Sequence, residues 1–306
     1  MNCEEDLLKY FKNAKLNYHF DDDISYGKRQ PITGYIDYSN KMKELKYGDL
    51  LDDEMINNLA VGLPTNVTLS RFIETVYDQK DKDIGVSCCI AAAITIRTNY
   101  INYQRYRITK WIFGNKLPLM NPSVLYINWN ANIQNIQKYK DNNVEYSGIS
   151  PSIYSHLLSL ESHKVVDVSK YDDNIEKLDS EPNLISFYYA SKSKDFIWYK
   201  IKQNETVLKV LLNDGYPIIC SIIIYKEMLN LVAYQFGIIE TPNTEIGLPC
   251  GSQPIVIIGY EEKKKIFYFL CSFNYKWGNN GIGQLSYDYL LNSNLAGDFA
   301  ILDYKF

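Results

Sequence analysis

Ser87-Cys88-Cys89-Ile90-Ala91-Ala92-Ala93-Ile94 decides how the rest of the chain is read. A glycine-containing loop ends at Ser87, and an apolar run begins at Cys88. Three consecutive alanines are strong helix formers, so the segment predicts a buried helix with cysteine in its first turn. A thiol in that place ionises more readily than a free one, because the helix end presents unpaired N–H groups and a partial positive charge.

Outward from this helix, the chain of 306 residues carries 32 Lys plus Arg against 36 Asp plus Glu, a net charge of −4. That balance argues against a dedicated nucleic-acid binder, which needs a basic excess. A hydrophobic content of 46% with 22% charged residues excludes a mainly disordered chain. The length predicts about two lobes. Cys88 to Ile96 and Pro217 to Tyr225 are the longest apolar stretches, far short of the ~20 residues of a membrane span. The acidic start, Met1-Asn2-Cys3-Glu4-Glu5-Asp6, is unlike a secretory signal. The six cysteines lack the spacing of a disulfide framework, so a reduced, cytoplasmic chain is expected. Abundant tyrosine, 27 in all, points to an AT-rich genome.

Residues 1–62 read as a polar amino-terminal extension with one helix near Glu5 to Lys15 and acidic clusters at Asp21-Asp22-Asp23 and Asp52-Asp53-Glu54, taken as solvated loops. Residues 63–306 form the body, mainly helical over 63–185 and mainly β over 186–306. Helix starts are expected at Asn121-Pro122-Ser123 and Ser150-Pro151-Ser152. The Ile-rich runs Ile218 to Tyr225, Ile255 to Tyr260 and Ile266 to Cys271 predict buried strands. Glu205 to Asn213 predicts the amphipathic helix among them, stopped by Asp214-Gly215. The order, helices first and strands second, gives an α+β class with two unlike lobes.

Several segments, in order, resemble the papain-like cysteine peptidase family, in its bacterial, archaeal and viral branch. They are Leu63-Pro64-Thr65-Asn66-Val67-Thr68, Val76-Tyr77-Asp78-Gln79, the Ser87 to Ile94 stretch, Asp214-Gly215-Tyr216-Pro217, Gly251-Ser252-Gln253-Pro254 running into Gly259-Tyr260, Trp277-Gly278-Asn279-Asn280-Gly281, and Tyr287-Asp288-Tyr289-Leu290-Leu291. The resemblance implies a two-lobed papain-like fold, a helical lobe followed by an antiparallel, barrel-like β lobe. It places Cys89 at the nucleophile position, with Cys88 as the alternative frame. It also puts Gln253 at the histidine position and Cys271 at the asparagine position. Gln79 takes the oxyanion-hole position, but Lys80-Asp81-Lys82-Asp83 reads as an insertion that would keep it short of the site.

A thiol peptidase needs an imidazole to activate the sulfur and to protonate the leaving amine. Gln253 takes no proton near neutrality. Of the three histidines, His19 lies in the extension, while His156 and His163 sit on the helix after Pro151 and read as packing or surface residues. Loss of general acid–base help, worth about 10²–10⁴-fold, predicts a pseudoenzyme with a degenerate triad: a structural or binding protein, virion-associated if viral, that holds a protein or peptide in the former substrate cleft or within an assembly. The competing class is an active thiol hydrolase with a non-standard dyad on Cys89 or Cys88. Two other chemistries were weighed. Cys88, Cys89, Cys250 and Cys271 converging on a metal lack the usual ligand spacing, so no metal or cofactor is expected. The aromatic–basic stretch from Arg97 to Trp111 reads as a half-buried helix face rather than a nucleic-acid platform.

Overall fold

The computed structural model describes residues 60–80, 82–108, 120–141, 152–178, 180–226, 229–244, 247 and 249–305. The helix near Glu5 to Lys15, the acidic clusters of the extension, Cys3, His19 and Trp111 lie outside the described residues. Among the described residues no helix is long and apolar enough to cross a membrane.

The central element is α1 (Gly85–Ile108). From Ile84 to Thr98 every residue is buried, so the helix is enclosed on all sides rather than presenting one apolar stripe. Its alanines allow that close enclosure. α2 (Val124–Asp141) and α3 (Ile153–His163) pack beside it. Both start where the sequence predicts. Ser123 Oγ accepts the Tyr126 N–H (3.1 Å) and Ser152 Oγ accepts the Ser155 N–H (3.2 Å), filling orphan donors of the first turn. α4 (Leu184–Lys192) follows, capped by Asn183.

The remainder is built on one eight-stranded sheet. Its strands are β1 (Asn66–Thr68), β2 (Phe196–Lys200), β3 (Ile218–Tyr225), β4 (Ile238–Ile239), β5 (Pro249–Glu261), β6 (Ile266–Leu270), β7 (Ile282–Ser286) and β8 (Ala296–Tyr304). The order is β2-β8-β3-β5-β6-β7-β4, with β1 added on β5. All pairs are antiparallel except β4 with β7. α5 (Glu205–Asn213), α6 (Leu231–Phe236) and α7 (Tyr287–Leu291) connect the strands. The fold is thus α+β, with the predicted strands and the Glu205 to Asn213 helix in place. The barrel-like expectation is corrected: β2 and β4 end the sheet without pairing to each other, so it stays open.

Two of the ties between the helices and the sheet stand out. Arg97 of α1 makes a bidentate pair with Asp303 of β8 (3.1 and 2.9 Å), donates to the carbonyls of Asp214 and Gly215, and lies 3.5 Å from the Tyr216 ring centroid. Arg97, which opens the aromatic–basic stretch, is therefore buried in a structural role, and Tyr100 and Tyr103 pack edge-on against Phe72. The second tie is β1, which precedes α1 yet pairs with β5 in the register Thr68↔Gly259. Only glycine allows that approach, since a Cβ at 259 would stand 2.2 Å from the Val67 carbonyl oxygen.

Candidate active site

Gln253 lies in β5 opposite Ile222 of β3, in the all-buried stretch of the strand. Its Nε2 donates to Gln79 Oε1 (3.1 Å), to the Ser272 hydroxyl (3.2 Å) and toward the Pro254 carbonyl (3.2 Å). Ser272, just after β6, donates its own hydroxyl to Gln79 Oε1, and its carbonyl accepts the Gln79 N–H (2.9 Å). All three side chains are buried. The result is a closed polar knot in which neutral donors meet neutral acceptors, as burial demands.

Gln79 therefore reaches the site, contrary to the expectation that the following four residues would hold it short. The backbone explains this. Lys80 adopts φ 52°, its N–H donates to Asp78 Oδ1 (2.9 Å), and the Lys82 N–H returns to the Gln79 carbonyl (3.0 Å). The Lys82-to-Gln79 bond thus closes a turn that brings the chain back to the start of α1. Asp78 and Tyr77 hold the same turn to the loop after β6: Asp78 bridges Phe273, the Asn274 N–H donates to the Tyr77 carbonyl (3.1 Å), and Asn274 Nδ2 donates to Asp78 Oδ2 (3.2 Å).

The helix residue facing the knot is Gly85, the first of α1. A Cβ there would lie 2.6 Å from Gln79 Oε1 and 3.0 Å from Pro254 Cγ. Cys89 stands one turn further along the same face, about 6 Å deeper by the helical rise. Its electrostatic neighbours are Cys88, Cys271 and Cys220, and burial pushes its thiol well above the ordinary range. Cys88 is buried likewise, with the Asp173 and Asp78 carboxylates adding to an upward shift. Cys271 is raised by burial, and its weak sulfur hydrogen bond goes to the Gly281 carbonyl (4.0 Å) rather than to Gln253. The structure thus brings together Gln79 and Gln253 of the sequence-selected residues. The helix-end effect expected to favour a thiolate is outweighed by burial.

Both ring nitrogens of His156 are engaged away from the knot, Nε2 with Ser87 Oγ (2.9 Å) and Nδ1 with the Ser152 carbonyl (3.1 Å). His163 Nδ1 faces the Ser159 carbonyl at the end of α3. None of Cys88, Cys89, Cys220, Cys250 and Cys271 forms a disulfide. Among the described residues no group of three or more His, Cys, Asp or Glu is placed to hold a metal ion.

Ser272, Gly85 and Pro254 were not singled out from the sequence. Ser272 and Pro254 are each one residue past a position that was, and adjacency was the available signal. Gly85 had a weaker one: five residues separate it from Gln79, a distance that a single turn spans.

No protein-family model matches the chain. Over 95 residues it is 28% identical to an uncharacterized peptidase C1-like protein of Acanthamoeba polyphaga mimivirus, a stretch covering 31% of this chain and 30% of that relative's length. Among solved structures it is similar to xylellain, a cysteine protease from Xylella fastidiosa, with a TM-score of 0.63 and 19% identity over 82% of this chain and 90% of that one. A digestive procathepsin L of Tenebrio molitor larval midgut gives a TM-score of 0.54 at 14% identity, covering 80% and 70% of the two chains. Procathepsin B of Trypanosoma congolense gives 0.53 at 11%, covering 97% and 89%. Element order, sheet and these neighbours agree: the chain has the papain-like cysteine protease fold.

Proposed function

We propose that this chain is a non-catalytic papain-like protein in which Gly85 occupies the nucleophile's place and Gln253 the histidine's. The observation that carries the reading is that the helix residue facing Gln79, which is itself bonded to Gln253, has no side chain. A nucleophile has to stand within hydrogen-bond reach of its base and of the oxyanion donor, and a side chain at position 85 would meet Gln79. Glycine supplies no sulfur there, and a glutamine amide neither takes nor gives a proton near neutrality. The two amides and the Ser272 hydroxyl are already bonded to one another, so a peptide carbonyl entering the site would have to break that knot.

The role left to the fold is structural or binding, toward a protein or peptide partner in an assembly. Its thiols suit the cytoplasm, and the mimivirus relative makes a virion-associated role coherent with the same reading. The test pairs two measurements on the purified chain: peptide-library hydrolysis, and alkylation at pH 6 by a thiol electrophile with and without denaturant. Expected are no hydrolysis and slow labelling of the folded protein, with fast labelling of every cysteine once unfolded. Rapid single-site labelling of Cys89 or Cys88 that a peptide blocks would restore the thiol-hydrolase reading.

A further inference from the structure

α4 carries the most exposed apolar face among the described residues. Leu184 is 86% exposed, Ile185 63%, Tyr188 60% and Tyr189 43%. These four repeat at i, i+1, i+4 and i+5, so they form one stripe along the helix. Ser186 and Ala190 on the opposite face are buried and hold α4 to the body, with Ser186 Oγ donating to the Lys170 carbonyl (3.0 Å). The stripe is therefore rigidly presented. It amounts to roughly 500 Å² of apolar surface, at the upper end of what a monomer leaves in contact with water.

The charges around the stripe have a polarity. Glu181 precedes its amino-terminal end and Lys192 closes its carboxyl end. Among the described residues neither forms an ion pair; Lys192 Nζ instead lies 5.4 Å from the Tyr188 ring centroid. Lys170 flanks the side, 4.8 Å from the Tyr189 ring. A surface with an apolar middle, an acid at one end and a base at the other is complementary to itself after a half-turn. A second copy laid antiparallel, Tyr188 near Tyr188, sets each Lys192 beside the other's Leu184 and within side-chain reach of its Glu181. It also opposes the two helix dipoles favourably.

We infer that α4 is the two-fold contact of a homodimer, the partner being a second copy of this chain. The covered stripe supplies most of the ~800 Å² per partner of a standard interface, and Glu181, Lys170 and Lys192 form its polar rim. Such a dimer is of moderate strength, with the ends setting register more than affinity.

Sedimentation of the full chain from micromolar to submillimolar concentration tests this. Expected is a concentration-dependent shift to twice the chain mass, abolished by Leu184→Asp and by Tyr188→Asp and unaffected by Phe236→Asp on the exposed face of α6. Leu184 is so exposed that the variant keeps its fold, which far-UV circular dichroism checks. Lys192→Glu should weaken the dimer about tenfold, with Glu181→Lys in the same chain restoring it. A mass that stays monomeric throughout overturns the proposal, whether because another segment of the chain covers α4 or because the face is bare. So does a dimer that survives Leu184→Asp.

Discussion

The first and fourth turns of α1 both meet the sheet, and they do so with opposite chemistry. At the fourth turn Arg97 brings a full charge, matched by a bidentate carboxylate, two carbonyls and an aromatic face. At the first turn Gly85 brings nothing, and the groups opposite it are two amides and a hydroxyl. Charge is buried at the fourth turn, while neutral groups meet at the first. That contrast bears on function more than any single residue, because an active site is where buried charge is ordinarily tolerated for a purpose. Here the fold keeps the architecture, and the buried charge sits elsewhere.

The widest test of that contrast is Arg97→Ala. Leaving the part-buried Asp303 and the enclosed end of α1 without the guanidinium should cost about 3 kcal/mol, read as a shift of the urea midpoint. Ser272→Ala should cost less, about 1–3 kcal/mol, because neutral groups lose one partner of several. A knot that proved as costly to break as the Arg97 pair would undo the distinction between the two turns.

Gly85→Ala sharpens the comparison at the helix start. Its Cβ would press on Gln79 Oε1, the end of a flexible side chain, for a loss of about 1–2 kcal/mol. Gln79→Ala in the same chain should remove most of that loss, so the double mutant is more stable than additivity allows. Full additivity would mean that Gln79 does not fill the space before Gly85.

The smallest expected effect lies on the surface. Lys209 and Lys265 beside Glu262 hold its carboxyl down at about 2. An unfolded glutamate titrates near 4.3. The folded value is the lower one, so this stabilisation is complete above pH ~4.3 and is lost as pH falls toward 2. The group is largely solvated, and screening limits the contribution to about 1 kcal/mol or less. Glu262→Gln should flatten that part of the acid limb of a stability–pH curve and leave neutral pH nearly unchanged.

The sequence made the strands legible because Ile-rich runs bounded by Gly, Pro or charge have few other readings. The place of Gln253 in its strand was legible too, by counting back from Gly259-Tyr260, whereas the arrival of Gln79 beside it was not, because the turn after it read as an insertion. Nor was the face of α1. A helix apolar all round has no stripe, so periodicity cannot say which of Gly85, Cys88 or Cys89 looks toward Gln253. Gly85-Val86-Ser87 looked like loop because glycine is a poor helix former, and only tertiary enclosure makes it the first turn. Sheet closure was also invisible, being decided by whether the two outermost strands meet rather than by any strand's own pattern.

β1 carries a consequence for how the molecule is made. Three residues near the front of the described chain find their ladder on Gly259 to Glu261, nearly two hundred positions downstream. During synthesis, Asn66–Thr68 waits for this ladder until β5 has emerged. The helices can form early, but the belt of β1 on β5 and then the Arg97–Asp303 tie to β8 close late, which marks these closures as the slow and vulnerable moments of assembly.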